Sequence, residues 1–370
     1  MPNIEAISSN HHHQIAELLT CHYGKSEDFW LQRFNTWWLK NPAFNDLSEA
    51  GWVILDNKRK IVGVMGNIPT RMTNAGETIV ARNGTSWFTL PAHRGLGMHL
   101  FFHLLRSDRS PVFVTTPNET TLKILTSLKV SLAPRANAGE KKMASFIPLH
   151  SQSLWEDITL GQNKQETVLH VNDTIEGKIS DTRHDGKDVL QPDWVVDQLS
   201  LRDTTHVEIR EINSAGFEFD RLWKKTQNDY SFTNVRDAAY INWMVHNTNH
   251  NHLVLGCFLT GEIVGFAIVK ISQRKQIFRF VDLWLRREYW ENAMSALIKF
   301  SVSYAHESSF KMVVIPHFHH SFTQKLTELG LPKIEIGDYV DYLHLPKEMN
   351  SEIHGSNTYF CDLQGDNDIW

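Results

Sequence analysis

The chain has 370 residues, 41% of them hydrophobic, with 37 basic against 42 acidic side chains and a formal net charge of −5. That balance excludes a generally basic nucleic-acid coat, and no apolar run approaches the ~20 residues that cross a bilayer. Three scattered cysteines, Cys21, Cys257 and Cys361, fit neither a disulfide framework nor a zinc site. With no basic start leading into an apolar stretch, a cytoplasmic protein is expected.

Charge is distributed unevenly. Residues 51–150 carry 13 basic and 5 acidic residues, a local +8, whereas residues 151–200 carry 4 and 10, a local −6. An anionic ligand would be most welcome in the first of these blocks. In chain order, Ile4–Ile7 reads as a strand, and Ser9 or Asn10 can cap a helix through Ile15, Leu18 and Leu19. Phe29, Phe34, Trp37 and Trp38 predict a second helix that stops at Asn41-Pro42. Trp52–Leu55 and Ile61–Met65 form a hairpin across Asp56-Asn57. Thr78–Leu90 alternates as a strand, with a break near Asn83-Gly84, and Pro91 ends it. Leu96–Leu105 is a helix, Val112–Thr115 a strand and Thr120–Leu128 a helix. After a polar stretch the order repeats. Strand Val207–Ile212 precedes helices over Phe217–Lys225 and Ala238–Val245 and a hairpin Leu253–Leu259/Ile263–Ile271. Strand Ile277–Leu285, helix Tyr289–Ala305, strand Met312–Ile315 and helix Phe322–Leu329 follow, with a last strand over Tyr339–Leu345. A period of roughly 200 residues points to duplicated domains rather than a solenoid. The expected boundaries are 1–150, a polar connector 151–204, a second domain 205–348 and a tail 349–370.

The most informative segment is Ser86-Trp87-Phe88-Thr89-Leu90-Pro91-Ala92-His93-Arg94-Gly95-Leu96-Gly97-Met98-His99. A strand enters a glycine-containing turn and then a helix, whose first N–H groups lack intrahelical partners and favour an anion. There is no Gly-Lys-Ser/Thr ending for a Walker loop and no third glycine for a dinucleotide fingerprint. The stretch resembles the pyrophosphate loop of the GNAT N-acyltransferase superfamily, Arg/Gln-x-x-Gly-x-Gly/Ala. Arg94 and Gly97 match, and His99 stands where the family prefers Gly or Ala. Asn118, after Val112–Pro117, matches an Asn common at the start of the next helix. The resemblance covers about residues 3–148. It implies an α/β (α+β) fold class of two GNAT-like domains, each with a mixed, mostly antiparallel twisted sheet flanked by helices. It also implies an acetyl-CoA or other acyl-CoA site at Phe88, Thr89, Leu90, Arg94, Gly95, Leu96, Gly97, Met98, His99 and Asn118. In the second half Arg286-Arg287-Glu288-Tyr289-Trp290 replaces the loop with bulky side chains, so only the first domain is expected to bind coenzyme A.

Catalysis is harder to assign. The family often places a Tyr general acid about seven residues past the Asn, where this chain has Leu125; Thr115, Thr116 or a water could substitute. His317, His319 and His320 follow the second half's Val313–Pro316, with His319 opposite Asn118 when Leu125 is aligned with Leu326. Such a histidine could accept a proton from an ammonium, or be a satisfied loop residue. Asp282 lies where GNAT enzymes often keep an acidic base, or holds an arginine such as Arg279 or Arg286. His11-His12-His13 reads as a solvated helix end, and His93 could meet a coenzyme A phosphate. No metal is expected, since adjacent histidines rarely converge on an ion without further ligands. Helical spacing puts Trp30 and Trp37 in the core, but the resemblance borders that helix with the acceptor site, so either ring could stack on a substrate. Arg236, Tyr240 and Trp243 resemble an element of tandem GNAT-like proteins, several associated with polysaccharide or cell-envelope biosynthesis. The acidic ending Gly365–Asp368 resembles theirs too. Arg236 and Tyr240 are therefore read as substrate-binding.

These readings imply an N-acyltransferase acting on a small amine such as an amino sugar. It would have no nucleic-acid partner and no membrane insertion, as a monomer or homodimer. Two alternatives stay open: a FemABX-type aminoacyl transferase and a non-catalytic coenzyme A-binding module.

Overall fold

The computed structural model describes residues 3–45, 48–106, 110–115, 117–132, 143–149, 206–246, 251–272, 276–328, 331, 333–335, 342–345, 349 and 357–361. The expected connector, Thr116 and the acidic ending lie outside the described residues.

The first half begins with β1 (Asn3–Ala6), α1 (His12–Tyr23) and α2 (Glu27–Phe34), the last continued by a π-helical turn over Asn35–Leu39. Then come β2 (Gly51–Leu55), β3 (Ile61–Asn67), β4 (Thr70–Asn74) and the long β5 (Glu77–Thr89). A 3-10 turn over Pro91–Leu96 leads into α3 (Gly97–Leu105), followed by β6 (Val112–Val114), α4 (Glu119–Ser127), β7 (Ser131–Leu132) and β8 (Met143–Pro148). The second half runs β9 (Glu208–Ile212), α5 (Phe217–Thr226), β10 (Phe232–Asn234), α6 (Ala238–His246), β11 (Asn251–Leu259), β12 (Glu262–Ser272) and β13 (Ile277–Leu285). It continues through a 3-10 turn at Arg287–Tyr289, α7 (Trp290–Glu307), β14 (Met312–Pro316), α8 (His320–Glu328), β15 (Lys333–Glu335), β16 (Tyr342–His344) and β17 (Thr358–Tyr359). Most expected elements are present. β4, β7, β8, β10, β15 and β17 are additional, all of six residues or fewer and too short for a clear period of two.

Two sheets result. The first runs β1-β2-β3-β5-β4-β10-β17, with β6, β16 and β7 joined through β5; the second runs β15-β8-β14-β13-β12-β11-β9. Both are mostly antiparallel, with β5–β6, β10–β17 and β13–β14 parallel.

The sheets do not follow the sequence boundaries. β8, counted with the first domain, lies between β14 and β15 of the second sheet. β16, counted with the second, pairs with β6 and β7 of the first. The halves exchange a strand each way, and β10 and β17 extend the first sheet from β4. Strand pairing is non-local, so a three- or six-residue strand carries no local mark of the sheet it joins.

The core joins the halves as well. One hydrophobic cluster contains Trp30, Phe34, Trp37 and Trp38 together with Trp243, Leu255, Phe266 and Trp284. The Trp243 indole N–H donates to Thr36 O across this junction at 2.8 Å. A second cluster packs α3 and α4 on the opposite face, through Leu100, Phe101, Leu104 and Leu125.

The histidine run is not a uniformly solvated helix end. His12 packs against Phe34 and Trp38, at ring centroid distances of 5.5 and 5.2 Å. Burial first, then the neighbouring His11 and His13, push its pKa below the usual histidine value of 6.5. A base whose pKa falls on folding binds fewer protons in the native state. Its contribution to stability is complete above pH 6.5 and is lost as pH falls from there through the lowered native value. Thermal melts should therefore show a smaller loss of Tm between pH 7.5 and 5.5 for His12→Phe than for the wild-type chain.

Candidate active site

In the first half, β5 and β6 pair only where Arg82 and Asn83 meet Val112 and Phe113. Beyond that point β5 stays paired to β3, with one extra residue on β5 between the Thr85–Gly66 and Phe88–Val64 pairs. Ser86 within this bulge has φ +51°, a conformation that non-glycine residues adopt rarely. A bulge bends its strand and increases local twist, and beyond Asn83 β5 has no further register with β6. Among the described residues, no side chain of another segment is hydrogen-bonded to the backbone of residues 86–88. That edge can serve an extended amide-bearing ligand as a strand partner.

Successive side chains leave opposite faces of the strand. Trp87 faces α3: its ring stacks on Phe101 at 4.9 Å, and its indole N–H donates to Gly97 O at 3.1 Å. These contacts fix the start of α3 relative to the bulge. Phe88 faces α1 and stacks on the exposed His22 at 4.0 Å. His22 is a residue that sequence reasoning missed, because no motif or spacing links α1 to the central strand.

The connection at the end of β5 differs from the expected glycine turn. Pro91–Leu96 winds as a 3-10 turn, and the Gly97 N–H is bonded to Arg94 O. That donor is therefore engaged. Arg94, Gly95 and His99 are exposed and His93 half-buried, and no acidic residue occurs from 78 to 107. The two glycines differ in surroundings. A Cβ at Gly95 would meet nothing within 4 Å, whereas one at Gly97 would lie 3.3 Å from Thr89 Oγ1 and 3.5 Å from Trp87 Nε1. Gly95 leaves room for an outside ligand, and Gly97 is needed for helix–strand packing. Leu96 and Met98 are half-buried against the α3 core cluster, as is Leu90. Asn118 caps α4, its Oδ1 accepting from the Thr121 N–H at 2.9 Å. Leu125, at the position of the family's acid, is fully buried.

The second half has the same opening. β13 and β14 pair only over Ile277–Arg279 and Met312–Val314, and an extra residue, Val281, sits between the Asp282–Ile268 and Phe280–Val269 pairs. The remaining candidate residues gather here, except Trp30 and Trp37. Asp282 is 3% exposed and pairs with neither Arg279 nor Arg286. Its carboxylate accepts from Arg236 Nε at 2.8 Å and Nη2 at 3.2 Å. Arg236, 1% exposed, also donates through Nη1 to Thr233 Oγ1 and Asn234 O, and lies over the rings of Trp284 and Tyr359 at 4.2 and 4.8 Å. Burial alone would lower the Arg236 pKa, but the Asp282 carboxylate overrides it and holds the guanidinium above its usual range. This is a buried, fully engaged ion pair. It commits the Asp282 carboxylate to Arg236 and leaves Arg236 no exposed face for a substrate.

His317 and His319 are buried as well. His317 Nε2 is 3.0 Å from Ser145 Oγ of β8, and the His319 ring stands edge-on to Tyr230 at 5.1 Å. Tyr240 is buried beside Trp243, at a ring distance of 5.5 Å, and burial pushes its phenol well above the usual pKa. Trp30 and Trp37, 0% and 4% exposed, are core residues in the present packing and not a stacking surface. Among the described residues, no group of three or more His, Cys, Asp or Glu side chains could hold a metal ion. No described helix is long and apolar enough to cross a membrane.

No protein-family model matches the sequence, and no curated protein matches it. Solved structures do match its fold. A GCN5-related N-acetyltransferase from Anabaena variabilis aligns over 94% of this chain and 74% of its own, with a TM-score of 0.59 and 12% identity. A GCN5-related N-acetyltransferase from Kribbella flavida aligns over 94% and 73%, with a TM-score of 0.57 and 10% identity. The chain has the fold of the GNAT superfamily. The bulged central strand and splayed parallel neighbour occur twice in it, once in each half.

Proposed function

We propose that the chain is an acyl-CoA-dependent acyltransferase, most specifically an N-acetyltransferase that acts on a small amine such as an amino sugar. The observation that carries this reading is the contrast between its two openings. The first combines a bulged strand with an unpaired edge, the accessible Arg94 and Gly95, and an acid-free approach. The second is packed with the chain's own side chains.

In this reading the backbone of residues 86–88 pairs with the amide-bearing arm of the acyl-CoA, and residues 93–99 face its phosphates. Arg94 supplies fixed positive charge there, and Gly95 allows close approach. The bound thioester supplies the activated acyl carbon. The protein's part is to align the neutral amine beside that carbon and exclude water. Asp282, Arg236, His317 and Tyr240 then serve structure, while the exposed His22 borders the acceptor side of Phe88.

Isothermal titration with coenzyme A and acetyl-CoA is the deciding test, and one site per chain is expected. Folded protein that binds neither at millimolar concentration overturns the reading. One observation favours a second reading, coenzyme A binding without transfer: the buried Leu125 at the acid's position. Binding without turnover across an amine panel, monitored as free thiol release, would select it.

A further inference from the structure

The second opening is filled by a segment from the far end of the chain. Tyr359 of β17, 0% exposed, lies between the two splayed strands. On one side its phenol donates to Leu283 O on β13, and its ring stands 5.4 Å from Trp284. On the other side it lies 5.9 Å from Phe318 and 6.0 Å from Phe322, which follow β14. Tyr230 closes a third side at 5.0 Å. Asp282 Oδ1 accepts from the Leu283 N–H at 3.0 Å. Both backbone groups of Leu283 are thus satisfied by side chains. In the pairing with the preceding hairpin strand, Leu285 opposes Gly265 as Thr89 opposes Gly63. Leu283 is therefore the counterpart of Trp87, in the strand stretch whose backbone is open in the first half.

We infer that Tyr359 is an internal occupant of the second opening: it takes the place that a ligand's arm would take in the first. The filling segment also has a second attachment. Tyr359 O accepts from Thr233 Oγ1 at 2.8 Å, and β17 runs parallel to β10, which pairs with β4 of the first sheet. The occupant therefore ties the filled opening of one half to the sheet of the other. Of the two openings among the described residues, one then accepts a ligand. Only this stoichiometry rests on the proposed cofactor reading; the occupancy itself does not.

The test uses the full chain, with p-cresol as a probe shaped like the tyrosine side chain. Tyr359→Ala should lower Tm by about 5 °C, the expected scale for emptying a large aromatic site in a chain of this length. Millimolar p-cresol should bind it saturably and recover at least half of that loss, with no effect on wild-type Tm. Tyr359→Phe should keep the fold and the shape, and ignore p-cresol. Wild-type chain should titrate with one coenzyme A; no coenzyme A binding would count against the cofactor reading alone. Three results would overturn the occupancy: two coenzyme A molecules per wild-type chain, a folded Tyr359→Ala protein indifferent to p-cresol, or one that stays insoluble with p-cresol while Tyr359→Phe is soluble.

Discussion

Gly95→Trp is expected to weaken coenzyme A binding at least tenfold while leaving Tm within about 2 °C of wild type. The position is exposed, and a Cβ built there meets no atom within 4 Å. Its backbone is not left-handed, so an L side chain adds no conformational strain. The indole would project into the space that the proposed phosphate groups occupy, beside Arg94. A tenfold loss corresponds to about 1.4 kcal/mol, a modest demand on a ring placed in a phosphate's path. Gly97 looks equivalent by motif and is a poorer test. Its Cβ would press on Thr89 and Trp87, and the 3.1 Å bond from Trp87 to Gly97 O would be disturbed. Gly97→Leu should therefore lower stability and binding together, and the two losses could not be separated. Paired calorimetric titration and thermal melts distinguish the variants. Unchanged affinity in Gly95→Trp would move the anion site away from this loop.

The sequence was most readable where signals are local. Periodicity locates both hairpins, both central strands and the helices after them. Asn118 reads as a helix cap because capping chemistry is written within four residues. The aromatic helix is legible as core, since Phe34, Trp37 and Trp38 recur on one face. What escaped depends on contacts distant in sequence. Arg236 lies 46 residues before Asp282, so the nearer Arg279 and Arg286 looked like equally good partners. That β8 and β16 each pair within the sheet of the other half is hidden for the same reason, and Thr358–Tyr359 carries no strand signature at all. His22 meets Phe88 only because α1 crosses the sheet at the bulge. The two openings could be inferred as a repeated motif, but that one of them is filled by residue 359 required the fold.

The buried ion pair beside that filled opening carries a large expected change in stability. Asp282→Asn should destabilise the chain by about 3–5 kcal/mol, the usual range when one partner of a buried ion pair is removed. The cause is specific. The carboxylate takes two of the bonds made by Arg236, whose charge is fully buried between Trp284 and Tyr359. An amide can accept one such bond but cannot balance the charge. Arg236→Met alone should cost a similar amount by stranding the carboxylate. The double variant Arg236→Met/Asp282→Leu should recover a substantial part of the sum, because neither charge is then left unpaired. Chemical denaturation of the wild-type chain, Asp282→Leu, Arg236→Met and the double variant yields the coupling energy directly. The same series separates structure from catalysis. If the pair only organises the second half, the folded fraction of Asp282→Asn should keep wild-type coenzyme A affinity within about twofold, since that ligand is assigned to the other opening. A variant of near wild-type stability that binds coenzyme A normally yet has lost acyl transfer would instead place the Asp282 carboxylate in the reaction.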